Sequence, residues 1–172
     1  MEQASNRTML DRMKGAAWLD VATFTEVEHD ESLTAQAAGV VIIVALAKAI
    51  GSWEVGLGSA IAVALASLVG WLIWAGVTYL IGDKLMGGTA TWGELLRALG
   101  YAQAPGVLMV FAFLPLLGGV VAVVAYVWTL VAGIVGIREA LDFSTGKAVA
   151  TAVLGWLALV IPMALLRFAG LG

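Results

Sequence analysis

The 172 residues are 62% hydrophobic and only 12% charged, with a mean hydropathy of +0.99, more apolar surface than one soluble core of this size buries. A net charge of −3, with five of the 12 acidic residues lying between Asp20 and Glu31, leaves no broad basic face and argues against nucleic acid as a partner. The lack of cysteine excludes disulfides, thiolate metal centres and cysteine nucleophiles.

From Asn6 to Glu31, Leu10, Met13, Ala17, Val21 and Phe24 recur every three or four positions, which marks one face of an amphipathic helix. A break is expected near Asp20 or Thr23, since Thr23 and Glu26 have the spacing of a capping box. Trp18 and Phe24 are candidate interfacial rings. The stripe has two uses: lying on the membrane surface, or packing against the protein's own cytoplasmic loops. No apolar core of a cleavable signal precedes residue 32, so the first span is expected to serve as the targeting signal.

Ser32 is an expected N-cap for the run 33–50, whose helical rise of about 27 Å matches a bilayer core. After a turn at Gly51–Gly58 containing Trp53 and Glu54, residues 57–81 form the longest run and carry Trp71, Trp74 and Tyr79 toward its end, rings suited to an interface. Asp83–Gly93 is a glycine- and threonine-rich loop, and Thr91–Gln103 has the mixed polarity of an interfacial helix leading into the membrane. Val107–Ile137 carries no charge over 31 residues; as one helix it would rise about 46 Å, too long for a bilayer. Pro115 and Gly118-Gly119 divide it, giving a short third span at 104–117 and a fourth at 119–137. The third rises only about 21 Å, which also fits a re-entrant hairpin, and its helix has an alternative start at Thr91 with a kink at Pro105. After the polar link 138–146, Ser144 is the expected N-cap of a fifth span at 147–166, which contains Pro162. The expected fold is thus an all-α integral membrane protein with five transmembrane helices behind an N-terminal cytoplasmic amphipathic segment, residues 1–31.

Orientation follows from the basic residues. With the N-terminus inside, Arg7, Arg12, Lys14, Lys84, Arg97, Arg138 and Lys147 fall on the cytoplasmic side and only Lys48 and Arg167 outside. Small residues at four-residue spacing, Ala62, Ala66 and Gly70, then Ala125, Thr129 and Gly133, then Ala148, Ala152 and Gly155 (the last step one shorter), offer close helix packing. Packing within one subunit is the expected use, and a homo-oligomer seam the other.

The stretch LRALGYAQAPGVLMVFAFLPLLGG, with Arg97, Tyr101, Pro105, Pro115 and a glycine turn, runs on to a polar turn before Lys147-Ala148. Together with the upstream DVATFTEVEHDESLTAQA, it resembles the Yip family of Ypt/Rab-interacting membrane proteins, prokaryotic branch, over about residues 18–160. The resemblance implies a five-span helical domain with a cytoplasmic N-terminus. Eukaryotic relatives are associated with Rab-type GTPases and vesicle traffic and carry a long cytoplasmic N-terminal region that has no counterpart in the matched residues, so Rab binding is not carried over.

Glu26, Glu28, His29, Asp30 and Glu31 surround the one histidine, yet lack the glycine-placed loop or paired-histidine spacing of a metal motif. A solvated acidic face is the expected reading, with no metal and no cofactor. His29 has no flanking motif for a hydrolase base, and STGKA around Lys147 lacks the first glycine of a phosphate loop. Glu94, Arg97, Gln103, Arg138, Glu139 and Asp142 gather at the cytoplasmic ends of spans three and four, where opposed charges are expected to pair across the two loops. With Trp18, Phe24, Tyr101 and Pro105 they are the candidate interaction or structural positions. These features point to a non-enzymatic scaffold or adaptor in a prokaryotic inner membrane, its partners the bilayer and a membrane or cytoplasmic protein. A small-solute transporter is the alternative, motivated by Pro105, Pro115 and Pro162, although no inverted repeat or mid-span charge accompanies them. Lipid handling by the N-terminal segment is a third reading.

Overall fold

The computed structural model describes residues 7–52 and 57–168; the expected turn residues Trp53 and Glu54 lie outside them. Regular structure among the described residues is helical throughout. Three helices among them, Glu31–Gly51, Ile61–Leu85 and Gly118–Ala140, are long and apolar enough to cross a membrane, and the chain is an integral membrane protein.

The N-terminal segment is a hairpin of two short helices, α1 (Met9–Ala17) and α2 (Val21–His29). Thr8 and Asp11 cap α1 reciprocally, which satisfies two backbone donors that helix geometry leaves free. Asp20 caps α2 by accepting from the Thr23 amide at 3.2 Å. Thr23–Glu26 is therefore not the cap, because Glu26 is drawn into ion pairs with Arg7 and Arg12. Leu19, with φ 61°, makes the reversal between the helices.

Asp30 then caps a single 3₁₀ turn, Glu31–Leu33, through the Ser32 amide. Ser32 lies inside this turn and gives its hydroxyl to Asp30, so it does not cap α3 (Thr34–Gly51) as its position suggested. α4 (Leu57–Tyr79) unwinds into a wider π turn over Leu80–Leu85. α5 (Trp92–Tyr101) opens on a Thr91–Glu94 capping box.

Beyond α5 the chain departs from the helix expected at 104–117. Ala104–Phe111 is a 3₁₀ helix with Pro105 in its first turn, since a proline ring and its missing N–H break the α-helical ladder at that point. A turn follows, in which Leu116 takes φ 66° with its side chain 99% exposed. α6 (Gly118–Ala140) and α7 (Thr145–Phe168, running through Pro162) complete the chain. Ser144 directly precedes α7, and its carbonyl accepts from the Ala148 amide.

α5 and the 3₁₀ helix form the central strut, packed against α2, α3, α4 and α6. Leu95, Ala98, Leu99, Tyr101 and Ala102 are fully buried. Small residues permit this closeness: a Cβ on Gly100 would stand 2.8 Å from the Ala37 Cβ, and one on Gly106 2.7 Å from Val44. Of the three expected small-residue faces, those of α6 and α7 are turned inward, with Ala125, Gly133, Ala148, Ala152 and Gly155 buried. That of α4 is not: Ala62, Ala66 and Gly70 are exposed beside Leu65, Val69 and Ile73, because α4 gives its other side to α3 and α5.

Candidate functional site

Polar groups converge where the C-terminal end of α2 meets the start of α5 and the end of α6. Arg97 lies on the buried face of α5 and is itself 4% exposed. Its Nε donates to the Val27 carbonyl at 2.9 Å, Nη2 donates to the Glu28 carbonyl, and Nη1 reaches the Thr34 hydroxyl at 3.5 Å. These carbonyls belong to the last turn of α2, where helix geometry leaves acceptors unpaired and a cation interacts favourably with the helix dipole. One guanidinium fork thus fastens α2 to α5 and to the start of α3.

Phe24 sits one turn deeper in α2. It is fully buried, with its ring 3.2 Å from where a Cβ on Gly136 of α6 would stand. It is not the interfacial ring expected, because α2 turns this residue onto α5 and α6. Trp18, by contrast, is 77% exposed and meets Trp128 edge to face at 6.2 Å. The Trp128 Nε1 donates to the Ala17 carbonyl at 2.7 Å. Trp128 lies about 18 Å along α6 from Ala140, so the hairpin packs lengthwise along half of that helix.

A second network ties the hairpin together. Glu26 accepts from Arg7 at 2.6 Å and from Arg12 at 2.8 Å, Arg12 also donates to the Arg7 carbonyl and to Gln36 of α3, and Gln36 accepts from the Tyr101 hydroxyl at 3.0 Å. Hydrogen bonds from the Thr8, Thr23 and Ser32 hydroxyls hold Asp11, Asp20 and Asp30 below the usual carboxylate range.

The remaining charged positions do not make the expected ion pairs across the loops. Glu94 is used in capping its own helix, and Arg138 pairs with its neighbour Glu139 at 2.6 Å. Asp142, at φ 53°, accepts from the Thr89 hydroxyl at 2.9 Å, so the two loops are joined by a hydrogen bond and no ion pair. The physical reason is competition: Glu94 and the Arg138–Glu139 pair are satisfied within their own helices, Arg97 is taken by the α2 carbonyls, and Asp142 is met by a hydroxyl. Pro105 is buried at the head of the 3₁₀ helix.

Glu28 is the exception to this local satisfaction. Its side chain is 8% exposed, Oε1 lies 3.2 Å from the His29 Nδ1, and Oε2 is buried with no hydrogen-bond partner. Burial pushes the carboxyl up to about 7, helped by Glu139, Asp142 and Glu94 and opposed by His29.

Sequence reasoning missed the roles of Arg12, Glu26, Glu28, Gln36 and Trp128. Arg12 carried a usable signal, since it stands beside Met13 and one turn before Ala16, both of which are buried. For Glu28 there was none, because a glutamate beside a histidine in an acidic run reads as solvated. An apolar groove of about 590 Å³ between α4, α6 and α7 is lined by Trp74, Tyr126, Leu130 and Val153 among others, with no carboxylate, imidazole or amine among the described residues of its lining. Among the described residues, no three histidine, aspartate or glutamate side chains form a metal-holding group.

No curated protein and no solved structure matches the chain. The model of the Yip1 domain matches residues 21–166, from the first residue of α2 to the last turns of α7, so the strut, the Arg97 clasp and the Pro105 break all fall within it. The chain belongs to the Yip1 domain family.

Proposed function

We propose that the protein is a non-enzymatic scaffold or adaptor in a prokaryotic inner membrane, presenting a fixed polar platform to a protein partner on the cytoplasmic side. One observation carries this reading. The polar side chains at the meeting of α2, α5 and α6 are largely consumed in holding the platform together, while His29, Glu31 and Asp142 remain exposed on its surface. A surface of this kind recognises a partner without acting on it.

In this reading the chain crosses the membrane five times, with the N-terminus inside. α3, α4, α6 and α7 each make one crossing. α5 and the 3₁₀ helix together make the third, rising roughly 15 Å and 16 Å, in place of the short span at 104–117. Residues 7–33 are a hairpin docked from the cytoplasmic side, its Trp18 end reaching along α6 to Trp128, so that the exposed Leu10, Trp18 and Val21 meet the inner leaflet.

A photo-crosslinking residue at His29, Glu31 or Asp142 in native membranes is expected to capture one stoichiometric partner, and the same residue at Leu116, at the other end of α6, to capture none. Equal capture from both ends, or recovery of the chain alone from every position, counts against an adaptor. Because the chain has no cysteine, single cysteines at Ser144 and Leu116 test orientation directly. A membrane-impermeant maleimide added to sealed cells is expected to label Leu116→Cys alone.

A further inference from the structure

We propose that Glu28 is a proton-operated latch: with its carboxyl neutral, the C-terminal end of α2 is held against α5 and α6, and on ionisation that end is released. The geometry is that of a buried acid whose charged form meets a partner at one oxygen only, the exposed His29 ring at Oε1. Oε2 is buried and unpartnered, and a carboxylate without a partner in such a place costs far more than a neutral carboxyl.

The surrounding groups sharpen the point. From α6 and the turn after it, Glu139, already paired with Arg138, and Asp142 face Glu28 with like charge; from α5, Glu94 does the same. His29 on α2 itself is the neighbouring group of opposite tendency, and its ring is also bonded to the Thr25 carbonyl and 75% exposed. Arg97 reaches this residue at its backbone: its guanidinium is committed to the carbonyls of Val27 and of Glu28. An ionised Glu28 side chain therefore competes with the backbone of its own helix for Arg97. Whichever side wins, the other loses its partner, and the element with two arrangements is the last turn of α2 together with the Asp30-capped turn beyond it.

The sign follows from linkage. The docked carboxyl titrates near 7, above the ordinary value of 4.5, so docking takes up a proton and is strongest in acid. It weakens as the pH rises from about 4.5 to about 7 and is level above that. Across this window the docking equilibrium changes by up to about tenfold per pH unit.

The test is amide hydrogen exchange of the full chain in lipid nanodiscs between pH 5 and pH 8, with rates corrected for the intrinsic effect of pH. Protection over residues 24–33 is expected to fall by one to two orders of magnitude as the pH rises, while that of α5 and α6 holds. Glu28→Gln should keep the pH 5 level of protection at pH 8. His29→Ala should retain the transition and move it to higher pH, since His29 favours the ionised form. A flat wild-type profile, or a Glu28→Gln profile that follows the wild type, overturns the proposal, as does loss of the transition in His29→Ala. The measurement needs no partner, so its failure would leave the adaptor reading standing.

Discussion

Replacing Arg97 by methionine tests the clasp between α2 and α5 at its centre. Methionine keeps most of the length of the stem and its packing, but removes the fork that serves the Val27 and Glu28 carbonyls. Hydrogen bonds to a charged donor contribute about 1.5–3 kcal/mol each, and a buried carbonyl left without a donor costs about 1–3 kcal/mol. Against this, a guanidinium that is 4% exposed no longer has to be held out of water, which returns part of the loss. The net expectation is a local destabilisation of about 2–4 kcal/mol, smaller than the sum of two bonds. Arg97→Lys should fall between, because one ammonium cannot span two carbonyls in the fixed geometry of the fork. Hydrogen exchange over residues 27–33 reads the change directly: 2 kcal/mol is roughly a 30-fold loss of protection. Arg138→Ala is the control, since its partly exposed pair with Glu139 is worth under about 1 kcal/mol. If Arg97→Met protects this segment as well as the wild type does, the clasp is not what holds α2 in place.

The two aromatic residues of the hairpin should separate in a thermal melt in detergent: Phe24→Ala, at a fully buried site against Gly136, is expected to cost about 3–5 kcal/mol, and Trp18→Ala, at a site 77% exposed, under about 1 kcal/mol. Gly100→Leu inserts a side chain where the first added atom already meets Ala37 at 2.8 Å; overpacking of this kind costs about 1–3 kcal/mol, and an unchanged melting temperature would show that α3 and α5 are not closely seated. Leu116→Gly should raise stability by up to about 1 kcal/mol, because the left-handed conformation at φ 66° costs leucine about 1–2 kcal/mol and a side chain 99% exposed gives little packing in return.

The long apolar helices were legible because hydropathy acts over whole segments, and three of them are long and apolar enough to cross a membrane. The runs expected at 33–50, 57–81, 119–137 and 147–166 correspond to helices Thr34–Gly51, Leu57–Tyr79, Gly118–Ala140 and Thr145–Phe168. Each was bounded by charge, glycine or proline, and no tertiary contact is needed to see that such a run avoids water. Residues 104–117 were harder. Pro105 and Pro115 signalled a break, but whether the chain resumes as α-helix or tightens into 3₁₀ turns depends on Val44 and Ala37 of α3 lying against Gly106 and Gly100. Those contacts are more than 60 residues apart in sequence.

The polar positions were hard to read for a different reason. Glu94, Arg97, Arg138, Glu139 and Asp142 were grouped because topology brings their segments to one end, and charge alone then suggests cross-loop ion pairs. In the folded chain the backbone competes for the same groups. An α-helix leaves four carbonyls free at its C-terminus and four amides free at its N-terminus, and in an apolar protein water supplies few of the missing partners. Arg97 answers the carbonyls of α2 and Glu94 the amides at the start of α5, so neither is left to reach the other. Glu28 has no such backbone need to meet; among the described residues it is the one carboxylate with an oxygen that burial leaves unpartnered, and the like charges around it make it the group whose protonation the fold registers.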